Sequence, residues 1–469
     1  MDSEQKKHIS SEFIESLILF LSVIKWFFIA SLVGIIVGFS TAVFLKSLEI
    51  STAYTSNFPY YFLVLPLGLF LSSFITKYFA RDAEGHGTEK VIEAIHKKSG
   101  KISLPVVPVK FLATVITVAA GGSVGKEGPA AQIGGGLASK LADLFRFEAE
   151  DRKRLVICGI SAGFSAVFGT PIAGAIFGVE VLFIGNLFYD ALFPSFVAGM
   201  IAYHVTTMLG IEYFHQPLDF APVFSGPFIL EVLTIGILLG LVSFVFIEML
   251  EFIDRKSKAI PWWKPLKGLF GGALLVVLTF LFSEKYLGLG LDTIKATLQG
   301  EMVPWYMFFI KMLFTAITLG FGGSGGIVTP IFFIGATAGS CFATLLGLDR
   351  TTFAAIGLVG LLSGAANTPI AASIMAVELF GSEIAPYAAM VCIISYLITG
   401  HRSVYPSQII ARTKSPTIYI EPGRVIEEIE GIEIRPRKKT IYALLLKLVK
   451  YINRLTNRLI KKLQEKLSR

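Results

Sequence analysis

The chain has 469 residues, of which 54% are hydrophobic and only 16% charged, with 40 phenylalanines. A soluble surface needs about a quarter of its residues charged, so cytosolic enzymes, secreted disulfide scaffolds and disordered tails are excluded and a polytopic membrane protein is indicated. The net charge of +8 belongs to one end: Arg435–Arg469 holds twelve Lys or Arg against a single acid, Glu465, a net of +11 that leaves −3 for the other 434 residues. No nucleic-acid partner follows from that balance.

Met1–Ser22 lacks the short apolar core and small-residue cleavage site of a signal peptide, so residues 1–25 read as a cytoplasmic N-terminal segment and Trp26–Leu48 as a retained membrane helix. Apolar segments follow the chain near 26–49, 59–80, 106–120, 129–145, 154–168, 171–186 and 191–212. They resume near 227–252, 266–287, 305–321, 330–347, 352–364, 369–380 and 385–400. A straight crossing takes about 20 apolar residues, and several of these are shorter and broken by Gly, Pro or Ser. Broken helices at membrane depth are tolerated only where the backbone is buried in protein or lines an aqueous cavity, the pattern of a transporter or channel core. Beyond them, Leu448, Ile452, Leu455, Leu459, Leu463 and Leu467 recur at helical spacing among the terminal bases. That pattern suits an amphipathic helix on the anionic cytoplasmic leaflet or against the protein itself. Either way the positive-inside rule places both termini in the cytoplasm. Cys158, Cys341 and Cys392 sit in apolar stretches and read as packing residues.

The segments repeat. Lys110–Ser139 and Lys311–Ser340 align without gaps, with thirteen of thirty positions identical and a shared G-G-S-x-G-x-x-x-P. Thr170-Pro171-Ile172-Ala173 through Glu180 matches Thr368-Pro369-Ile370-Ala371 through Glu378, and Gly85-His86-Gly87 pairs more weakly with Gly288-Leu289-Gly290. The expected organisation is a first repeat over 26–210, a linker over 211–226, a second repeat over 227–412 and a cytoplasmic tail over 413–469.

The chemistry concentrates at Gly125-Lys126-Glu127-Gly128-Pro129, a charged pair at a break between two apolar helices. Proline suits the first turn of a helix, because its missing N–H costs nothing there. The helix that follows points amides worth about +0.5 charge into the break. Gly326-Ile327-Val328-Thr329-Pro330 supplies the same geometry from the second half. Two such N-termini make an anion site without a full positive charge, weak enough for the ion to leave. A carboxylate near the bilayer centre costs at least ~2.5–3.5 kcal/mol, so Glu127 is either protonated or held by those amides. That makes it a candidate gate; an ion pair with Lys126 or Lys110 is the other reading. Gly159-Ile160-Ser161-Ala162-Gly163 matches a serine-nucleophile pattern, which makes an intramembrane serine hydrolase the remote alternative. Small residues at that spacing more often form a helix-packing face, and no strand precedes them to form an elbow.

These motifs, in this order, resemble the CLC chloride channels and chloride/proton antiporters over roughly residues 26–412. Gly125–Pro129 is similar to the family's G-[KR]-E-G-P, whose glutamate is the external gate. Gly326–Pro330 resembles G-x-F-x-P, with Val328 at the usual phenylalanine. Tyr405 matches the tyrosine whose hydroxyl contacts the central anion. The family's G-S-G-x-P appears as Gly85-His86-Gly87-Thr88-Glu89, with histidine at the anion-contacting serine. There His86 either donates an N–H to the anion, carrying charge at mildly acid pH, or turns aside.

The resemblance implies an all-α membrane protein of two inverted-topology repeats in the cell membrane. It implies a homodimer with a pore in each subunit, Leu192–Leu209 and Ala385–Thr399 at the interface. The implied anion site is the backbone amides of 86–88, 126–128 and 327–329, with His86, Gly87, Lys126, Gly128, Ile327, Val328 and Tyr405. The implied partners are chloride or a similar small anion, protons and membrane lipid, with no cofactor, metal or enzymatic activity. Where antiporters of the family carry an inner proton-relay glutamate, the chain has Glu180-Val181, apolar at the relay position, and Glu180 recurs as Glu378. Passive, proton-gated chloride conduction is therefore favoured over chloride/proton antiport. The 64 residues after Tyr405 are too few for the paired nucleotide-binding modules of some members.

Overall fold

The computed structural model describes residues 3–213, 226–429, 431, 433–435 and 451. The tail expected to be amphipathic and most of the 211–226 linker lie outside them. The described residues form sixteen α-helices, which fall into two sets of eight in the same order. The first set is α1 (Ser3–Ser56), α2 (Leu65–Phe79), α3 (Gly87–Lys97), α4 (Val106–Ala119), α5 (Glu127–Leu144), α6 (Ala149–Phe168), α7 (Pro171–Glu180) and α8 (Leu192–Met208). The second is α9 (Gly226–Ala259), α10 (Lys264–Leu281), α11 (Leu291–Leu298), α12 (Met307–Gly320), α13 (Val328–Leu346), α14 (Arg350–Ala366), α15 (Pro369–Phe380) and α16 (Ala385–Thr399). Seven of the described helices are long and apolar enough to cross a bilayer, and five further apolar helices are shorter.

Two helices, α3 and α11, have no counterpart among the apolar segments of the sequence. Both are short and amphipathic: α3 buries Val91, Ile92 and Ile95, and α11 buries Ile294 and Leu298, while their other faces are polar. Averaged hydropathy hides such helices, because they are short and the polar residues of one face cancel the apolar residues of the other. The first helix also starts far earlier than residue 26, at Ser3. Its apolar outward-facing run begins at Phe13 and includes Ile18, Phe20 and Leu21. The segment expected to run to 186 stops at Glu180, because Phe183–Ile184 leaves the helix to pair in parallel with Ile409–Ile410.

The halves are related by a twofold axis inside the chain, visible in reciprocal contacts. The Ser123 amide donates to Thr318 Oγ1 and the Ser324 amide to Thr117 Oγ1, each at 3.1 Å. The Glu180 carboxylate accepts from the amides of Ile370 (3.0 Å) and Ala371 (2.7 Å), and Glu378 from those of Ile172 (3.0 Å) and Ala173 (2.7 Å). Lys110 Nζ holds the carbonyls of Ala83 and Gly85, as Lys311 Nζ holds those of Tyr286 and Gly288. Such i-to-j′ and j-to-i′ pairing is the signature of a twofold interface. At the axis, Gly125 and Gly326 bridge antiparallel, so the two breaks run in opposite directions. Lys110 thus faces carbonyls rather than Glu127, and its ion-pair alternative falls.

Backbone contact between glycines sets the helix packing. A Cβ at Gly159 would lie 2.5 Å from the Gly134 carbonyl oxygen, and one at Gly163 2.6 Å from that of Ala130. The serine between them lies in mid-helix and donates to the Ala175 carbonyl. The nucleophile-like pattern is therefore the seam between α5 and α6, as small-residue motifs in membranes usually are. Gly335 repeats that seam between α13 and α14, with a Cβ there 2.4 Å from the Gly357 oxygen. Gly335→Ala should cost about 1–3 kcal/mol by overpacking. A lowered thermal midpoint in detergent is the expected result, and an unchanged one would mean the helices are not in this contact.

Candidate anion site at the paired helix breaks

The site is assembled where three helix N-termini meet. The Gly125 amide donates to the Gly326 carbonyl at 2.7 Å and the Gly326 amide to the Gly125 carbonyl at 2.6 Å. This pair satisfies backbone that a break would otherwise leave unpaired at membrane depth. It places the starts of α5 (Glu127) and α13 (Val328) side by side. The third contributor is α3. A Cβ at Gly87 would sit 2.3 Å from the Gly128 oxygen, and His86 bridges Gly325 in parallel. Glycine is required at Gly125 and Gly326 for a further reason. Added Cβ atoms there would lie 2.3 and 2.8 Å from Glu127 Oε2.

Glu127 is fully buried. Its carboxylate crosses to the other half of the chain, where Oε2 accepts from the Thr329 amide at 3.1 Å and Oε1 from the Thr329 hydroxyl. The donors are the first turn of α13, whose dipole favours negative charge. Among the described residues Glu127 makes no ion pair with Lys126; the lysine side chain is half-buried in a cavity wall instead. Val328 occupies the position equivalent to Glu127 in the second half and Thr329 the position equivalent to Gly128. Only one of the two breaks carries a carboxylate, and only the other carries the hydroxyl that receives it.

Near this carboxylate, Gly87 packs on Gly128, His86 bridges Gly325, Ile327 and Val328 open α13, and Tyr405 lies within electrostatic reach of Glu127. The His86 and Tyr405 rings lie 5.7 Å apart, tilted by 50°. His86 Nδ1 is buried without a hydrogen-bond partner in the protein, and the buried Thr88 and Tyr405 hydroxyls reach only each other. Buried polar atoms are nearly always hydrogen-bonded, so this cluster is polar surface suited to a ligand. Tyr405 is positioned from behind: the Ser407 amide donates to Glu89 Oε1 at 3.1 Å and its hydroxyl donates to the same atom.

Two cavities that share no lining residue approach the site. One, of about 290 Å3, is lined by Gly85, His86, Glu89, Lys90, Val404 and Pro406. The other, of about 230 Å3, is lined by Lys126, Glu212, Tyr213, Asp292, Lys295 and Thr329. Glu180 and Val181 lie apart from both. Glu180 caps α15, and the Val181 carbonyl accepts from Gln408 Nε2 at 2.8 Å. The sequence points to the amides of Thr88 and Thr329 but not to their hydroxyls, nor to Glu89. The Thr329 hydroxyl was discoverable, since the residue precedes the shared Pro330 in the repeat. Glu89 was not, because its partner Ser407 is more than three hundred residues away.

Comparison with known proteins agrees with this geometry. Residues 67–400 match the family model described as voltage gated chloride channel. A chloride/fluoride channel protein of Pseudomonas syringae is 39% identical, over 85% of this chain and 90% of its own. An H+/Cl− exchange transporter of Klebsiella pneumoniae is 27% identical, over 75% of this chain and 80% of its own. Among solved structures, a CLC-type fluoride/proton antiporter superposes with a TM-score of 0.79 at 30% identity, covering 83% of this chain and 99% of that one. With the family matched over most of its length and the fold shared across both repeats, the chain belongs to the voltage-gated chloride channel (CLC) family and is a multi-pass membrane transporter of small anions, not an enzyme.

Proposed function

We propose that the chain exchanges a small halide, with fluoride preferred to chloride, for protons across the cell membrane. One observation carries the reading: the Glu127 carboxylate of one half occupies the Thr329 donors at the first turn of α13 in the other. A halide and this carboxylate compete for the same donors. Protonation removes the carboxylate's charge and its claim on them, so anion entry and proton uptake become alternating states of one site. The basic C-terminal tail orients the molecule by the positive-inside rule, which turns the His86 cavity to the cytoplasm and the Lys126 cavity outward. The C-terminal segment itself reaches the His86 cavity through Pro406 and Glu427.

Fluoride preference is supported by the donors, because a small, strongly hydrated ion loses its water only to a dense set of N–H and O–H groups. The Thr88, Thr329 and Tyr405 hydroxyls, with His86, offer that set beside the amides of three helix starts. The names of the relatives support it as well, one being a chloride/fluoride channel protein and one solved structure a fluoride/proton antiporter. A second reading, passive proton-gated chloride conduction, draws on Val181, which offers no titratable group, and on the relative named as a channel. We also infer a homodimer formed through α8 and α16, whose outward faces carry Phe193 and Met200, and Ile393 and Leu397.

Purified protein in liposomes tests these readings. Among fluoride, chloride, bromide and nitrate, fluoride should pass fastest, and an imposed fluoride gradient should drive protons uphill. Glu127→Gln should abolish that pumping; robust halide flux without any uphill proton movement would favour conduction instead. Tyr405→Phe should weaken halide binding by calorimetry, since one hydrogen bond to a charged partner is worth ~1.5–3 kcal/mol, and unchanged affinity would remove Tyr405 from the site. Single cysteines at Met200 or Ile393 should cross-link subunits into dimers. Well-folded protein that never cross-links at either position would reject the interface.

A further inference from the structure

Three acidic side chains are buried among the described residues: Glu89, Glu127 and Glu180. Glu127 is the gate of the proposed mechanism, and Glu180 is occupied as a helix cap that Glu378 reproduces in the other half. Glu89 is left. Its equivalent in the second repeat, Asp292, is exposed, so burial at this position belongs to one half only and does not come from the fold's symmetry.

The surroundings of Glu89 give it a direction. It stands on the first turn of α3 and lines the His86 cavity. One residue before it, the buried Thr88 hydroxyl lies within hydrogen-bond reach of the Tyr405 hydroxyl, and neither has another protein partner. Tyr405 lies within electrostatic reach of both the Glu127 and the Glu89 carboxylates. Two buried carboxylates thus flank a pair of neighbouring hydroxyls, and one of the carboxylates opens on a cavity. The charged groups facing that cavity are Lys90 and Lys258 against Glu84, Glu251, Asp254 and Glu427, with the His86 ring also in the wall. Glu84, Asp254 and Glu427 are paired with Lys264, Lys258 and Lys97 respectively, so the wall carries both signs in near balance. Lys110, the remaining buried cation nearby, is engaged with the carbonyls of Ala83 and Gly85.

We propose that Glu89 carries protons between the His86 cavity and the Glu127 site, by a route that does not pass through Val181. The proposal rests on the proton-linked reading of Glu127. Protonated Glu127 releases its proton toward the Tyr405 and Thr88 hydroxyls. Each hydroxyl accepts at oxygen as it passes its own hydrogen onward, and the Glu89 carboxylate takes the last one. Glu89 then releases a proton to the cavity, so the route returns to its starting state with one proton moved. Anion and proton share the Glu127 region and part company below it.

Glu89→Gln tests this in liposomes, because the amide keeps an acceptor oxygen for Ser407 and nearly the same volume. Halide flux should persist while uphill proton movement falls by about tenfold or more, in line with the loss of a positioned acid–base group. Undiminished proton pumping by Glu89→Gln would overturn the proposal. Ser407→Ala separates a transfer role from an anchoring one. It removes the hydroxyl's hydrogen bond to Glu89 while the backbone amide of residue 407 still donates to the carboxylate, and should keep its coupling; loss of coupling equal to that in Glu89→Gln would assign Glu89 to anchoring and overturn the proposal. If the unmodified protein moves no protons uphill, the antiport reading fails by itself. Glu89 is then judged by the response of halide flux to pH on the His86 side. That response should vanish in Glu89→Gln, and its survival would overturn the proposal in that case too.

Discussion

The two hydrogen bonds between Gly125 and Gly326 are the contact on which the rest of the molecule depends. A bilayer interior offers no water to an interrupted helix, so each break must find its partners within the protein. Here each break finds them in the other. That solution demands two chain segments of matching shape running in opposite directions, which an internal repeat folded about a twofold axis supplies. It also brings two helix N-termini together at depth, so the requirement that satisfies the backbone creates a positive potential suited to an anion.

The surrounding contacts hold that arrangement against movement. Lys110 and Lys311 pin the glycine loops before α3 and α11. Glu180 and Glu378 tie α7 to α15 across the axis. Glycine seams let α5 pack on α6 and α13 on α14 at backbone distance. All of these come in pairs, which marks them as parts of the scaffold.

Function resides where the pairing fails. Glu127 faces a second half that has Val328 at the matching position, and Thr329 receives the carboxylate where the first half has only Gly128. His86 contrasts with Leu289, buried Glu89 with exposed Asp292, and Tyr405 comes from the segment that follows α16, the last helix of the second set. A symmetric scaffold has two equivalent breaks. The unpaired residues place one carboxylate and one set of hydroxyls at the axis, and so give the site distinct approaches from its two cavities.

The sequence by itself determined the fold class, the two repeats, the charged break and most residues around it. Those features are written in short-range patterns: apolar segment length, glycine and proline at fixed offsets, and a duplicated motif whose lysine, serine, proline and glutamate stay in register. It did not reveal α3 and α11, because each is short with one polar face, and averaged hydropathy passes over them. Nor did it reveal what each polar group holds. Lys110 reads as a counter-ion for Glu127 but binds carbonyls, and Glu127 takes its donors from Thr329, two hundred residues away in the chain. Glu89 reads as part of a glycine loop but is buried under Ser407. Only the tertiary structure decided these pairings. A hydrogen bond depends on distances of about 3 Å between particular atoms, and local pattern does not encode which distant segment the folded chain brings within that reach.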